Sequence, residues 1–177
     1  MDGIPRSLRF PITPFKVNEA WIDKLTITHY SHEPDFAPDG HTLITCSINQ
    51  FYPDNDAWHV LYQDPGAYRG EKLRIGQQAV MSIETRFPHM KGKIKLLDVA
   101  TPKTFERYCN AYRGAFMSFL PAIGGKMMTH TGSIKGLQNI FLSGKWLQLP
   151  GGLPVALIKG KDTIMRLCKI RKQPFVG

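Results

Sequence analysis

The chain has 177 residues, 42% of them hydrophobic, which is enough to build an ordinary core and argues against overall disorder. Its net charge of +9 is unevenly placed, because residues 1–100 carry 11 basic and 12 acidic side chains while residues 101–177 carry 12 and 2. That asymmetry suits a polyanion, an anionic membrane surface or a phosphate-bearing cofactor, with a solvated basic face as the plainer reading; no zinc-finger spacing or RNP-like stretch occurs, so no nucleic-acid partner is expected.

Residues 1–22 are punctuated by Pro5, Pro11 and Pro14 and read as an extended lead-in. Arg6 and Arg9 are followed by no apolar stretch of signal-peptide length, and the apolar runs at 116–123 and 140–146 fall short of the roughly 18 residues of a spanning helix, so a cytoplasmic protein is expected. Leu25–Tyr30 and His41–Ile48 alternate apolar and polar residues with β-branched enrichment, the pattern of half-buried strands. Between them Pro38-Asp-Gly40 supplies a fixed φ and a permissive glycine for a tight turn, so an antiparallel hairpin with a long loop is predicted.

Asp64-Pro65-Gly66 is a helix start, with Asp64 as N-cap and Pro65 at the first helical position. Gly76, Ala79, Val80, Ile83 and Phe87 recur at helical spacing until Pro88, which predicts a helix over 65–87. Lys93–Ala100 reads as a third strand. Thr101-Pro102 repeats the cap-plus-proline device and opens a short helix over 103–109. Beyond residue 110 glycines crowd together, at 114, 124, 125, 132, 136, 144, 151, 152 and 160, a density that marks close backbone approaches. Asn139–Ser143 is a short apolar strand, 144–152 a loop, and from Leu153 the residues Ala156, Leu157, Gly160, Ile164, Leu167 and Cys168 keep helical spacing. The unpaired N–H groups and positive dipole end of that last helix face Gly151 and Gly152, which carry no side chain to obstruct a flat or anionic ligand.

Cys46, Cys109 and Cys168 are far apart and form no Cys-x-x-Cys pair, so reduced, buried thiols are expected in place of a disulfide framework. His29, His32 and His41 lack the placement of a metal site, and no metal is expected. A Gly-x-Ser-x-Gly elbow is absent from the sequence, which disfavours a serine hydrolase. The fold predicted is α+β: a mostly antiparallel sheet with packed helices over 23–120, then a β-loop-α segment over 121–177.

Leu137-Gln-Asn-Ile-Phe-Leu-Ser-Gly-Lys-Trp146, followed by Leu149-Pro-Gly-Gly-Leu-Pro-Val-Ala156 and Gly160, resembles the C-terminal flavin signature of the phytoene desaturase, carotenoid isomerase and retinol saturase-like oxidoreductases. Phe36-Ala-Pro-Asp-Gly40, Tyr68-Arg-Gly-Glu-Lys72, Arg86-Phe-Pro88 and Asp98-Val-Ala-Thr-Pro-Lys-Thr-Phe-Glu-Arg-Tyr108 resemble motifs of the same family in the same order. The resemblance runs from about Leu25 to Cys168. It implies an FAD enzyme acting on an apolar, polyene-like small molecule. Gly144, Lys145 and Trp146 would then lie near the ribityl and pyrophosphate part, Gly151, Gly152, Leu153 and Pro154 would line the flavin ring, and residues 121–177 would be the return segment of the FAD domain. Tyr112, Phe116, Met117 and Phe119 would wall the substrate channel, against ordinary core packing as the plainer reading.

The sequence also departs from the family. Its members open with a Gly-x-Gly-x-x-Gly turn that binds the ADP part of FAD, and nothing here matches it. Lys145 stands where an acidic residue or Gln is frequent, though a cation there suits a phosphate. The resemblance therefore implies a truncated product, a split-gene subunit or a family remnant, inactive alone, that pairs with an N-terminal half or with itself and touches a membrane peripherally. A non-catalytic module for an apolar ligand or a partner is the other reading.

Overall fold

Strand structure starts earlier than the proline spacing suggests. In the computed structural model, which describes residues 3–50, 56–115, 117, 123–124 and 129–176, the segment read as a lead-in is part of the sheet. β1 (Ser7–Val17) pairs antiparallel with β2 (Ala20–His29), and β2 with β3 (Ile44–Ser47), in the order β1-β2-β3. Pro11 and Pro14 are tolerated because β1 lies at an edge and its register shifts between Pro11 and Phe15, a bulge that accommodates residues without an N–H. The hairpin of β2 and β3 has the expected long loop, closed at Pro38–Gly40 by a bond of 3.0 Å from the His41 N–H to the Pro38 carbonyl.

The helices that follow are α1 (Ala57–Leu61), α2 (Pro65–Arg86) and α3 (Pro102–Cys109). α2 begins where its cap residues require, since the Asp64 carboxylate accepts from the N–H groups of Gly66 at 2.8 Å and Ala67 at 3.1 Å. α3 opens with a capping box in which Thr101 and Thr104 satisfy each other's backbone N–H. Phe10, Leu25 and Ile27 on one face of the sheet pack against Ala79, Ile83 and Phe87 at the end of α2, with Leu25 and Ile27 sealed from solvent. A second cluster joins Phe15 and Val17 of β1 to Ile75 of α2 and Trp58 of α1. Each such large side chain contributes roughly 1.5–3 kcal/mol by leaving water. The indole of Trp58 keeps its polar end satisfied by donating to the Gln50 side chain at 2.7 Å.

Two expectations need correction. Lys93–Ala100 is not a strand of the sheet: it runs without a strand partner, and Ile94, Leu96 and Val99 are half-buried, with Leu96 and Val99 against α2 at Gly76. Its alternation is real, but the surface that receives it is a helix. The cysteines are not buried, for Cys46 and Cys109 are exposed and Cys168 is half-buried.

The chain divides into two compact units, Met1–Gly114 and Ala115–Gly177. The second contains a small antiparallel hairpin, β4 (Ser133–Ile134) with β5 (Leu137–Phe141), a 3-10 turn at Lys145–Leu147 and the helix α4 (Gly152–Ile170). α4 lies against the hairpin through polar groups: Arg166 donates to the Ser133 hydroxyl at 2.7 Å, and Val155 is its one buried residue. Helices and antiparallel sheets together make the fold α+β. Among the described residues no helix is long and apolar enough to cross a membrane.

Candidate functional site

The loop that precedes α4 takes its shape from glycine. Gly144 sits at φ 128°, ψ 180°, the Leu149–Pro150 peptide is cis, and Gly151 and Gly152 follow at φ 84° and 80°. These positive values strain any residue with a Cβ, so the entry to α4 is written for glycine and for little else. Among the described residues no side chain caps the helix, whose first amides, at Gly152 and Leu153, have no partner within it; Pro154 has no N–H to satisfy. A Cβ built on Gly152 meets nothing nearer than the Pro154 ring at 3.8 Å, and one built on Gly144 meets nothing within 4 Å. The backbone therefore approaches open space at both places.

The side chains around this loop fall into two groups. Leu147 and Gly151 are buried and anchor it, helped by a 2.7 Å bond from the His130 N–H to the Leu147 carbonyl. Leu153 is 87% exposed and Pro154 is exposed, while Trp146 carries Lys145 over its ring at 5.0 Å from the centroid. This gives a cation on an aromatic face, two unobstructed glycines and the positive end of a 19-residue helix along one stretch of chain. Its chemistry favours a flat or phosphate-bearing ligand. Farther along α4, Leu157, Ile158, Ile164, Met165 and Ile170 are exposed, so the helix turns its apolar side outward.

The cofactor residues predicted from sequence, Gly144, Lys145, Trp146, Gly151, Gly152, Leu153 and Pro154, thus lie along one continuous loop and helix start in the second unit. The substrate residues are differently placed. Tyr112 belongs to the first unit, in a 3-10 turn at Tyr112–Gly114, and is 78% exposed; Met117 belongs to the second and is exposed; Phe116 and Phe119 lie outside the described residues.

A polar cluster in the first unit went unnoticed in the sequence. The His59 ring approaches the Glu106 carboxylate at 3.4 Å without hydrogen-bond geometry, leaving both ring nitrogens buried and unpartnered. Lys103 pairs with Glu106 and holds its carboxyl below the usual range, and Arg113 donates to Asp56 at 3.0 Å. These groups tie α1 to α3 and the turn after it. The Lys103–Glu106 spacing of three residues on a predicted helix was the available signal; nothing in the sequence pointed to His59. His29, by contrast, is a satisfied core histidine, bonded to the Ile4 carbonyl at 3.1 Å and the Ser31 hydroxyl at 2.9 Å.

What the fold defines is an α+β protein in two units whose second unit opens its long helix on two glycines at positive φ, Gly151 buried and Gly152 half-buried. No protein-family model, curated protein or solved structure matches the chain.

Proposed function

We propose that this chain is the C-terminal part of an FAD-dependent oxidoreductase of the phytoene desaturase kind, acting on an apolar, polyene-like substrate and not catalytic by itself. The observation that carries this reading is the entry to α4, where Gly151 and Gly152 hold positive φ, no described side chain caps the helix, and space is open over Gly152. A flavin ring is flat and gains electron density on reduction, so a bare backbone beside a helix N-terminus suits it on both counts. Lys145 is placed in sequence to meet a phosphate, and Gly144 offers no obstruction beside it. FAD would supply two-electron transfer; the residues of this chain would position the ring, exclude water from one side of it and bias its charge. The ADP part would be held by an N-terminal half supplied by a partner chain, in a cytoplasmic assembly that meets its apolar substrate at a membrane surface.

The exposed apolar side of α4 favours a second reading, a non-catalytic module for an apolar ligand or a partner. Soaking purified protein with FAD and desalting it separates the two. Retained yellow absorbance supports the flavin reading, and colourless protein at saturating FAD refutes it for the isolated chain. Repeating the soak with a Gly-x-Gly-x-x-Gly half of a phytoene desaturase added in trans tests the assembly directly.

A further inference from the structure

The sheet of the first unit has two unlike edges. β1 closes one of them with Pro11, Pro14 and a register shift, and carries Arg9 and Lys16 along its length, features that discourage a further strand from pairing. β3 forms the other edge, and Ile44-Thr-Cys-Ser-Ile48, the strand and the residue after it, holds no proline, glycine or charge. The directions of its backbone groups follow from its pairing with β2. The Tyr30 N–H donates to the Leu43 carbonyl at 3.0 Å, and Thr28 stands opposite Thr45, so Leu43, Thr45 and Ser47 turn their N–H and C=O groups toward β2. Ile44 and Cys46 then turn theirs outward, and among the described residues none bonds to them. Thr45, Cys46 and Ser47 are exposed.

An open row of outward N–H and C=O groups is a template for strand addition, and the side chains along it select the strand. This segment reads nearly alike from either end: Ile, Thr, Cys, Ser, Ile. Run antiparallel to itself about Cys46, it sets Ile44 opposite Ile48, Thr45 opposite Ser47 and Cys46 opposite Cys46. Each pair joins positions of the same parity, so opposed side chains share a face. The apolar pairs fall on the core side, because Cys46 lies opposite the buried Ile27, and Ile44 and Ile48 are half-buried at the rim of that core. The hydroxyls of Thr45 and Ser47 meet on the other face, a cross-strand pair that ladders favour. The outward backbone groups of Cys46 meet their own counterparts and close a hydrogen-bonded pair on the axis. A foreign strand would have to match this order, whereas a second copy carries it already, and two-fold symmetry repeats the Ile44–Ile48 and Thr45–Ser47 pairs. Charge does not oppose the approach, since residues 1–114 hold 14 basic and 13 acidic side chains. We infer that two copies of this chain pair edge to edge along β3, antiparallel about a two-fold axis at Cys46, joining two three-stranded sheets into one.

Sedimentation velocity over a concentration series in the presence of a thiol reductant, with amide hydrogen exchange at its two ends, tests this. The wild-type chain is expected to double in mass with concentration. As it does so, the outward amides of Ile44 and Cys46 should slow by at least about tenfold, and by more than those of Thr45 and Ser47, which β2 already holds. The double variants T45K/S47K and T45E/S47E each set like charges opposite one another and should weaken pairing by at least about tenfold, while their equimolar mixture restores the dimer. Circular dichroism checks that both variants fold, and the wild-type mass and exchange decide the matter even if one does not. A wild-type chain that stays monomeric, a dimer whose Ile44 and Cys46 amides exchange as fast as the monomer's, or a mixture of folded variants that stays monomeric overturns the inference. So does a dimer protected along α4 instead.

Discussion

Replacing Gly76 with alanine pits two terms of similar size against each other on one helix. The gain is backbone propensity, for alanine stabilises a helix interior over glycine by about 1 kcal/mol. Opposing it is crowding, because the new methyl would lie 2.5 and 3.0 Å from the two Leu96 methyls and 2.9 Å from Val99. Overpacking of this kind costs about 1–3 kcal/mol, and the β-branched Val99 has few rotamers with which to yield. G76A should therefore end between unchanged and about 2 kcal/mol less stable than wild type. Gly70 provides the control on the same helix, being exposed with nothing within 4 Å of its Cβ position, so G70A keeps the propensity gain alone. Urea midpoints followed by far-UV circular dichroism should separate the two variants by about 1–3 kcal/mol. Equal stabilisation of both would refute the reasoning, since it would mean that the ledge of Leu96 and Val99 gives way at no cost.

Asp64→Ala removes the acceptor for two amides at the start of α2 and should cost about 0.5–2 kcal/mol in urea unfolding, with faster exchange confined to the first turn. Asp98 is held below the usual carboxylate range first by the Lys72 hydrogen bond and then by the Val99 N–H. Its stabilising share is accordingly present above about pH 4 and lost as pH falls through the folded value. K72M should lower the urea midpoint slightly at pH 7, where the pairing contributes, and match wild type in acid, so that its fall below about pH 4 is shallower. Gly152→Val sets a β-branched residue at φ 80° over the first turn of α4 and should lower FAD retention at least about tenfold, with the circular dichroism of the first unit unchanged.

How much of this was legible depended on whether the deciding partner was near in sequence. The start of α2 was, because Asp64 caps amides two and three residues away, and the stripe from Gly76 to Phe87 gave the buried face apart from Ile75. Thr101 was legible as a cap for the same reason, though its reciprocal partner Thr104 emerged only in the structure. The first strand was not: Pro11 and Pro14 hide it, and what makes it a strand is pairing with β2 through Phe10 opposite Leu25 and Val17 opposite Ala20, together with a bulge that no local rule places. The third predicted strand failed in the opposite sense, for its pattern was correct while its receiving surface was the helix at Gly76. At the candidate site the glycines were visible as residues, but their φ values and the open space over Gly152 follow from the path of the loop.

Two segments share one physical oddity, and it bears on function. α4 repeats apolar residues at helical spacing, yet Leu157 stays 77% exposed and Ile164 exposed, while its polar side, through Arg166 and Thr163, meets the hairpin. β5 likewise leaves Leu137 and Ile140 exposed. A sequence spends apolar side chains at a fixed period on a surface that is covered in the working state, because exposing them to water forfeits roughly 25 cal/mol for every Å² left uncovered. Burial of α4 and β5 is therefore encoded without being supplied by the described residues of their own unit. A covering polypeptide that also gripped the far end of a nucleotide at the Gly151–Gly152 entry would satisfy both demands with one interface. The prediction is specific in order: an N-terminal half added in trans should protect the α4 amides beyond Leu157 whether or not FAD is present, and FAD retention should rise only after that protection appears.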